Sequence, residues 1–145
     1  MRKLRIVQDA QKIGVLTKAQ VKAEVRAVCP TEEHDQIRFA AWLASQRIKF
    51  TASANGGKRD YREAAKLKRM GVSPGFPDIE IPLPSGGYHG LYIEMKREKG
   101  GKLSRAQKDW LEYLRSKNYY ADVAEGFDEA KKIVLNYLRL TPKAA

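Results

Sequence analysis

The chain has very little cysteine and no long apolar run, and these two absences exclude several classes of protein. Cys29 is the only cysteine among the 145 residues, so an internal disulfide and a cysteine-ligated zinc site are both excluded. No stretch approaches the roughly 18–20 consecutive apolar residues of a membrane helix. No apolar segment of the secretory-signal type follows the basic N-terminus. We therefore expect a protein of the reducing cytoplasm that does not enter a membrane.

Acidic residues are a minority of the charged residues. The chain carries 28 Lys and Arg against 17 Asp and Glu, which gives a net charge of +11. This charge favours a polyanionic partner, with nucleic acid first and an acidic membrane surface second. Charge alone does not separate a nuclease from a protein that only binds nucleic acid, so the individual residues have to decide.

The pattern of apolar residues and chain breakers predicts a basic extension over residues 1–30 and one α/β domain over residues 31–141. Helices are predicted at about 31–47, 60–70, 104–118 and 128–138, and strands at 48–52, 78–81, 91–96 and 120–124. The resulting order is helix, strand, helix, strand, strand, helix, strand, helix. The two middle strands are joined by a Pro- and Gly-rich turn, which predicts an antiparallel hairpin.

Three charged residues of this hairpin form a candidate catalytic set. Side chains alternate along a strand, so Glu94 and Lys96 project to one face, about 7 Å apart, and Asp78 at the head of the partner strand can lie beside Glu94. Two carboxylates on adjacent strands make an oxygen site suited to Mg²⁺ or Mn²⁺. A lysine beside them can orient a water and stabilise charge on a phosphate. By itself the spacing is a weak signal, and a solvated edge-strand face for Glu94 and Lys96 is the alternative.

A stripe of cations precedes this hairpin. Arg59, Arg62, Lys66 and Arg69 follow the helical spacing i, i+3, i+7 and i+10 on the second predicted helix. Such a stripe is either a solvated face or a surface that contacts phosphates.

Three motifs then occur in a specific order and spacing. Pro-Gly-x-Pro-Asp lies in Gly71–Asp78, Ile-Glu-x-Lys in Gly90–Lys96, and Ser-x-x-Gln in Lys102–Leu111. In these motifs the chain resembles the VRR-NUC nucleases of the PD-(D/E)XK superfamily, in the stand-alone form found in phages and prophages. The resemblance extends from about Glu32 to Tyr137, although the chain shows no clear Val-Arg-Arg-like segment of the kind present in some members.

The resemblance implies a restriction-endonuclease-like α/β core, a small mixed sheet flanked by helices, and a set of site residues. Asp78 and Glu94 would ligate Mg²⁺, with Mn²⁺ as a substitute, and the Met95 carbonyl would be a further ligand. Lys96 would be the catalytic lysine. The family's site is completed by a glutamine and a helix carboxylate, which would be Gln107 and Glu33, the latter acting through a water, with Glu32 as the alternative.

The resemblance also implies a substrate and a setting. It implies a DNA endonuclease that cuts branched DNA such as four-way junctions, works as a homodimer, and acts in the bacterial cytoplasm. Because nothing resembles a base-reading helix, we expect structure-selective cleavage, with backbone contacts that position DNA without reading its sequence. The expected DNA contacts are Lys58, Arg59, Arg62, Lys66, Arg69, Lys99 and Lys102. A non-catalytic DNA-binding module of the same fold and an RNA-directed nuclease remain the alternatives.

Overall fold

The computed structural model describes residues 29–54 and 60–140, together with residues 14, 17–20 and 23. Most of the predicted basic extension and the cations Lys58 and Arg59 lie outside the described residues. From residue 29 onwards the described elements are, in chain order, α1 (Glu32–Ser45), β1 (Thr51–Ala52), α2 (Tyr61–Arg69), β2 (Ile79–Ile81), β3 (Leu91–Lys96), α3 (Arg105–Ser116), β4 (Tyr120–Glu125) and α4 (Phe127–Leu138). This is the predicted order of helices and strands.

The four strands form one mixed sheet in the order β1-β2-β3-β4. Strands β2 and β3 are antiparallel with Ile79 opposite Ile93, as the hairpin prediction requires, and β3 and β4 are parallel. Strand β3 is therefore an interior strand, and all six of its residues are buried. The alternative that Glu94 and Lys96 lie on a solvated edge strand is wrong.

Helices cover both faces of the sheet. Ile93 and Met95 face a core built with Phe39 of α1 and Val134 of α4. On the opposite face, Tyr92 packs with α3 in a second, smaller core. Because side chains alternate along a strand, Glu94 and Lys96 lie on the same face of the sheet as Tyr92, which is the face that α3 covers.

The first strand is shorter than predicted because the end of α1 occupies the residues before it. Arg47 adopts a positive φ of 57°, and the Ile48 N–H donates to the Leu43 carbonyl at 3.1 Å. This left-handed residue and its backward hydrogen bond satisfy carbonyls at the C-terminus of the helix. Ile48 is thus used to close α1, and only Thr51–Ala52 pair with β2.

Side chains form hydrogen bonds with the outward-facing backbone groups of the edge strand β4. The Tyr120 N–H donates to the carbonyl of Gly90, just before β3, and the Gly126 N–H donates to the carbonyl of Lys96 in β3. The backbone groups of the odd-numbered residues between Tyr120 and Gly126 therefore point outward. Arg115 donates to the Ala121 carbonyl at 2.8 Å, and the Asp122 carboxylate accepts from the Val123 N–H at 2.8 Å. In the same way, the Glu129 carboxylate accepts from the Glu125 N–H.

The loop before β2 lies directly on the first turn of α3, and a glycine makes this approach possible. Gly75 has a φ of +82°, and a Cβ atom there would lie 2.5 Å from the Ala106 carbonyl carbon and 2.7 Å from the Gln107 nitrogen. Only a residue without Cβ fits both the left-handed backbone and the contact. The contact holds the segment that leads into Asp78 against the start of α3.

We expect Gly75→Ala to destabilise the fold more than Gly100→Ala, its matched control. Gly100 has nearly the same φ, +83°, but open space where a Cβ would stand. Gly100→Ala should lower the unfolding free energy by about 1 kcal/mol for the left-handed backbone, and Gly75→Ala by about 1–3 kcal/mol more because of overpacking. Urea denaturation followed by circular dichroism measures both. Equal losses would show that the contact with α3 imposes no constraint.

Candidate active site

Asp78 connects three strands at the end of the hairpin where β2 begins. Its carbonyl accepts from the Ser53 N–H at 2.8 Å, just after β1. Its carboxylate reaches the other way and accepts from the Met95 N–H of β3 at 2.8 Å. The carboxylate therefore satisfies a strand amide that would otherwise need a backbone partner.

The Met95 carbonyl faces the same edge of β3 as its N–H. In an antiparallel pair, the N–H and C=O of one residue point to the same neighbouring strand. Since the Met95 N–H points to Asp78, the Met95 carbonyl is also directed to the Asp78 side. This is the position expected of the further metal ligand.

Glu94 and Lys96 form a buried ion pair on the neighbouring part of β3. The Lys96 Nζ donates to the Glu94 Oε1 at 2.9 Å, and the two residues are 2% and 7% exposed. Their spacing of two residues places them on one face, as predicted. Charged groups at this depth require partners, and each of them has the other.

Gln107 joins α3 to this ion pair while it also caps its own helix. Its Oε1 accepts from the Ser104 N–H at 2.8 Å, and the Ser104 hydroxyl accepts from the Gln107 N–H at 3.2 Å. These two bonds form a capping box. The Gln107 Nε2 then donates to the Glu94 Oε1, so the same amide caps the N-terminus of α3 and orients the carboxylate.

The helix carboxylate beside the site is Glu32. Its Oε1 lies 3.8 Å from the Lys96 Nζ, and the residue is half-buried, whereas Glu33 is exposed. Neighbouring helical residues point about 100° apart, so the two glutamates cannot share this position. The glutamate that lies beside Lys96 is thus Glu32, the alternative, and not Glu33, which was the first expectation for this position.

Burial shifts the pKa values of Asp78, Glu94 and Lys96. It raises the pKa of Glu94 to about 7, against the opposing hydrogen bond from Lys96 and with a further contribution from the charges of Asp78 and Glu32. Burial also raises the pKa of Asp78, although the Met95 N–H lowers it. For Lys96, burial lowers the pKa, but the hydrogen bond and charge of Glu94 outweigh it and leave the pKa above its ordinary value.

The oxygen atoms of this site fit a hard divalent cation. Within the described part of the chain, no three His, Cys, Asp or Glu side chains converge on one position. The expected donors are the carboxylates of Asp78 and Glu94 with the Met95 carbonyl. Mg²⁺ commonly keeps several waters and takes only one or two carboxylates from the protein. A donor set of oxygens alone suits Mg²⁺ or Mn²⁺ better than a metal that prefers sulfur or imidazole.

The predicted DNA-contacting cations that the structure describes are all exposed. Arg62, Lys66 and Arg69 lie on α2, and Lys99 and Lys102 lie in the loop between β3 and α3. Both segments adjoin the site along the chain, one before Asp78 and one after Lys96.

Sequence reasoning missed one polar pair on the same face of the sheet. The Tyr92 hydroxyl donates to the Glu80 Oε1 at 3.0 Å, and the Tyr92 ring packs edge-on against Phe76, 5.6 Å between centroids. Burial and this bond raise the pKa of Tyr92 above its ordinary value. The signal was present, because strand alternation already placed Glu80 on the face of Asp78.

Comparison with known proteins agrees with this architecture. Residues 25–128 match the model of the VRR-NUC domain family. The chain is also similar to a solved structure described as a VRR_NUC domain protein, with 34% identity and a TM-score of 0.68 over 78% of this chain and 92% of that one. No curated protein matches the chain.

The chain belongs to the VRR-NUC family, and the resemblance inferred from the three motifs is confirmed. It is therefore a nuclease-family α/β protein, and its family implies hydrolysis of DNA. None of the described helices is long and apolar enough to cross a membrane.

The raised pKa of Glu94 predicts that the metal-free protein loses stability as the pH rises. The folded-state pKa of about 7 lies above the ordinary value of 4.5, so the fold favours the protonated carboxyl. That stability is complete below about pH 4.5 and is lost as the pH passes through about 7, and it amounts to about 3 kcal/mol. Asp78 acts in the same direction.

Urea denaturation in EDTA between about pH 5 and pH 8 checks this dependence. Glu94→Gln should remove most of the fall in unfolding free energy, whereas Glu112→Gln, a change at an exposed position of α3, should retain it. Parallel curves for the wild type and Glu94→Gln would contradict the assignment.

Proposed function

We propose that this protein is a Mg²⁺-dependent endonuclease that hydrolyses phosphodiester bonds in DNA. The observation that carries the proposal is the buried contact of the Lys96 Nζ with the Glu94 Oε1 at 2.9 Å. Next to this pair, the Asp78 carboxylate accepts from the Met95 N–H. A protein that only binds DNA gains nothing from a lysine and a carboxylate buried together beside a second, half-buried carboxylate, because this arrangement is expensive to desolvate.

Asp78, Glu94 and the Met95 carbonyl would hold Mg²⁺, and Mn²⁺ would replace it. The chemistry that a cation would supply there is polarisation of the scissile phosphate and stabilisation of the charge that develops on it. The raised pKa values of Asp78 and Glu94 support this proposal, since carboxylates that are costly to ionise alone are stabilised by a nearby cation.

Lys96 acts as a cation and a hydrogen-bond donor in this proposal. Its pKa lies above the ordinary value, so it is protonated at neutral pH and is no base. It orients the attacking water and stabilises negative charge on the phosphate. Gln107 keeps the Glu94 carboxylate in place, and Glu32 holds the ammonium from the side of α1.

Branched DNA cut by a homodimer is the form of the activity that we propose. Exposed cations precede and follow the site residues along the chain, on α2 and in the loop after β3, and two such segments can contact phosphates of more than one DNA arm. A four-way junction needs two cuts, which suits two copies of the site.

Cleavage should require Mg²⁺ and the buried charges. Purified protein incubated with junction, flap, duplex and RNA substrates should cut with Mg²⁺ and stop in EDTA. Asp78→Asn and Lys96→Ala should lower the rate by at least about 10²–10³-fold while DNA affinity stays within about twofold.

Glu32→Gln should reduce the rate and its neighbour Glu33→Gln should not. Cutting that survives EDTA would overturn the metal proposal, and binding without cutting on every substrate would favour the non-catalytic alternative.

The exposed cations of α2 should contribute to DNA affinity through phosphate contacts. If Arg62, Lys66 and Arg69 each neutralise one phosphate, replacing all three by Ala lowers the slope of log affinity against log salt by about 2.7. Fluorescence anisotropy at several salt concentrations measures the slope, and Lys132→Ala, a change of an exposed cation of α4, should leave it unchanged. An unaltered slope in the triple variant would identify the stripe as a solvated face.

A further inference from the structure

Helix α2 stands apart from the other helices described from residue 29 onwards because it contributes no side chain to either core. None of its residues, Tyr61–Arg69, is buried. Tyr61 is 86% exposed and Met70, at the C-cap, is 69% exposed. The Tyr61 ring is therefore accessible to a binding partner.

The charge of α2 limits what can occupy this surface. The helix carries Arg62, Lys66, Lys68 and Arg69 against one acid, Glu63. A second copy of the chain packed helix against helix would bring like charges together, which is unfavourable. A polyanion satisfies the same surface, so charge complementarity favours nucleic acid.

The position of Tyr61 suits contact with a base. It lies at the first position of α2, next to Arg62, and the Asp60 carboxylate accepts from the Arg62 N–H at 3.0 Å. This cap fixes the first turn of the helix, so the ring extends from an ordered backbone. Lys68, seven residues after Tyr61, lies on the same side of the helix as the ring, and Arg62, Lys66 and Arg69 form a stripe about a third of a turn away.

We propose that α2 is a single-strand-binding arm on which Tyr61 stacks against an unpaired base while the neighbouring cations hold the phosphates. Proteins that bind single strands combine a positively charged surface with an aromatic ring, and every base offers a face for stacking. The proposal deepens the proposed function and rests on it, because it names DNA with unpaired nucleotides, at flaps and branch points, as the substrate class.

Binding in EDTA tests the arm without cleavage. The probes are a fluorescent oligo-dT strand and a duplex of the same length, titrated at several salt concentrations. Tyr61→Ala should weaken single-strand binding by about 5- to 150-fold, the equivalent of about 1–3 kcal/mol for one stacked base. Tyr61→Phe keeps the ring and should bind within about twofold of the wild type.

The matched control is Tyr113→Ala, which removes an exposed tyrosine from α3, 54% exposed, and should leave single-strand binding unchanged. Stacking and phosphate contact are separated by the salt dependence. Tyr61→Ala should lower affinity without altering the slope, since no charge is lost.

Three results would overturn the proposal. One is an equal loss of duplex and single-strand affinity in Tyr61→Ala, and another is an equal loss in Tyr113→Ala. The third is a fall in molecular mass by light scattering in Tyr61→Ala, which would make α2 a contact between two copies. Each result leaves Mg²⁺-dependent cleavage and its loss in Lys96→Ala unaffected, so failure of the arm is distinguishable from failure of the proposed function.

Discussion

The buried carboxylate of Glu94 is the constraint around which the site is built. A carboxylate in an interior strand is unfavourable unless it is paired and hydrogen-bonded, and here Lys96 and Gln107 both donate to its Oε1. Each of these two partners links Glu94 to a helix. Lys96 also contacts Glu32 of α1, and Gln107 caps the N-terminus of α3. Burying one charge therefore fixes the relative positions of β3, α1 and α3. This linkage explains why a site made of few residues draws on most of the domain.

The charge of the chain is divided between two zones with opposite requirements. The interior zone holds the carboxylates of Asp78 and Glu94 with one lysine, and by itself this zone repels a phosphate. The outer zone consists of the exposed cations on α2 and in the loop after β3, and in the proposed function it attracts the same phosphate over a Debye length of about 8–10 Å. In a protein without excess charge, the carboxylates of the site would repel DNA. The net charge of +11 offsets this repulsion in the proposed function.

The hairpin, the order of elements and the proximity of Asp78, Glu94 and Lys96 were predictable because they depend on local patterns. Strand alternation put Glu94 and Lys96 on one face, and the turn between β2 and β3 aligned Asp78 with them. The choice between Glu32 and Glu33 was not predictable, because it depends on the rotation of α1 relative to a strand far away in sequence. The contact of Gln107 with Glu94 was available only from the family resemblance, since local sequence shows a capping box and no more.

The side chains along β4 determine how copies of this protein can meet. An open parallel strand at a sheet edge is a template for pairing with another chain, and here Arg115, Asp122 and Glu129 already hold outward backbone groups of that strand. Two copies cannot extend their sheets into one through this edge without first breaking those bonds. Contact between two copies is therefore left to the other surfaces of the domain, among them the opposite edge at β1, and the same bonds protect the β4 edge against strand-to-strand aggregation.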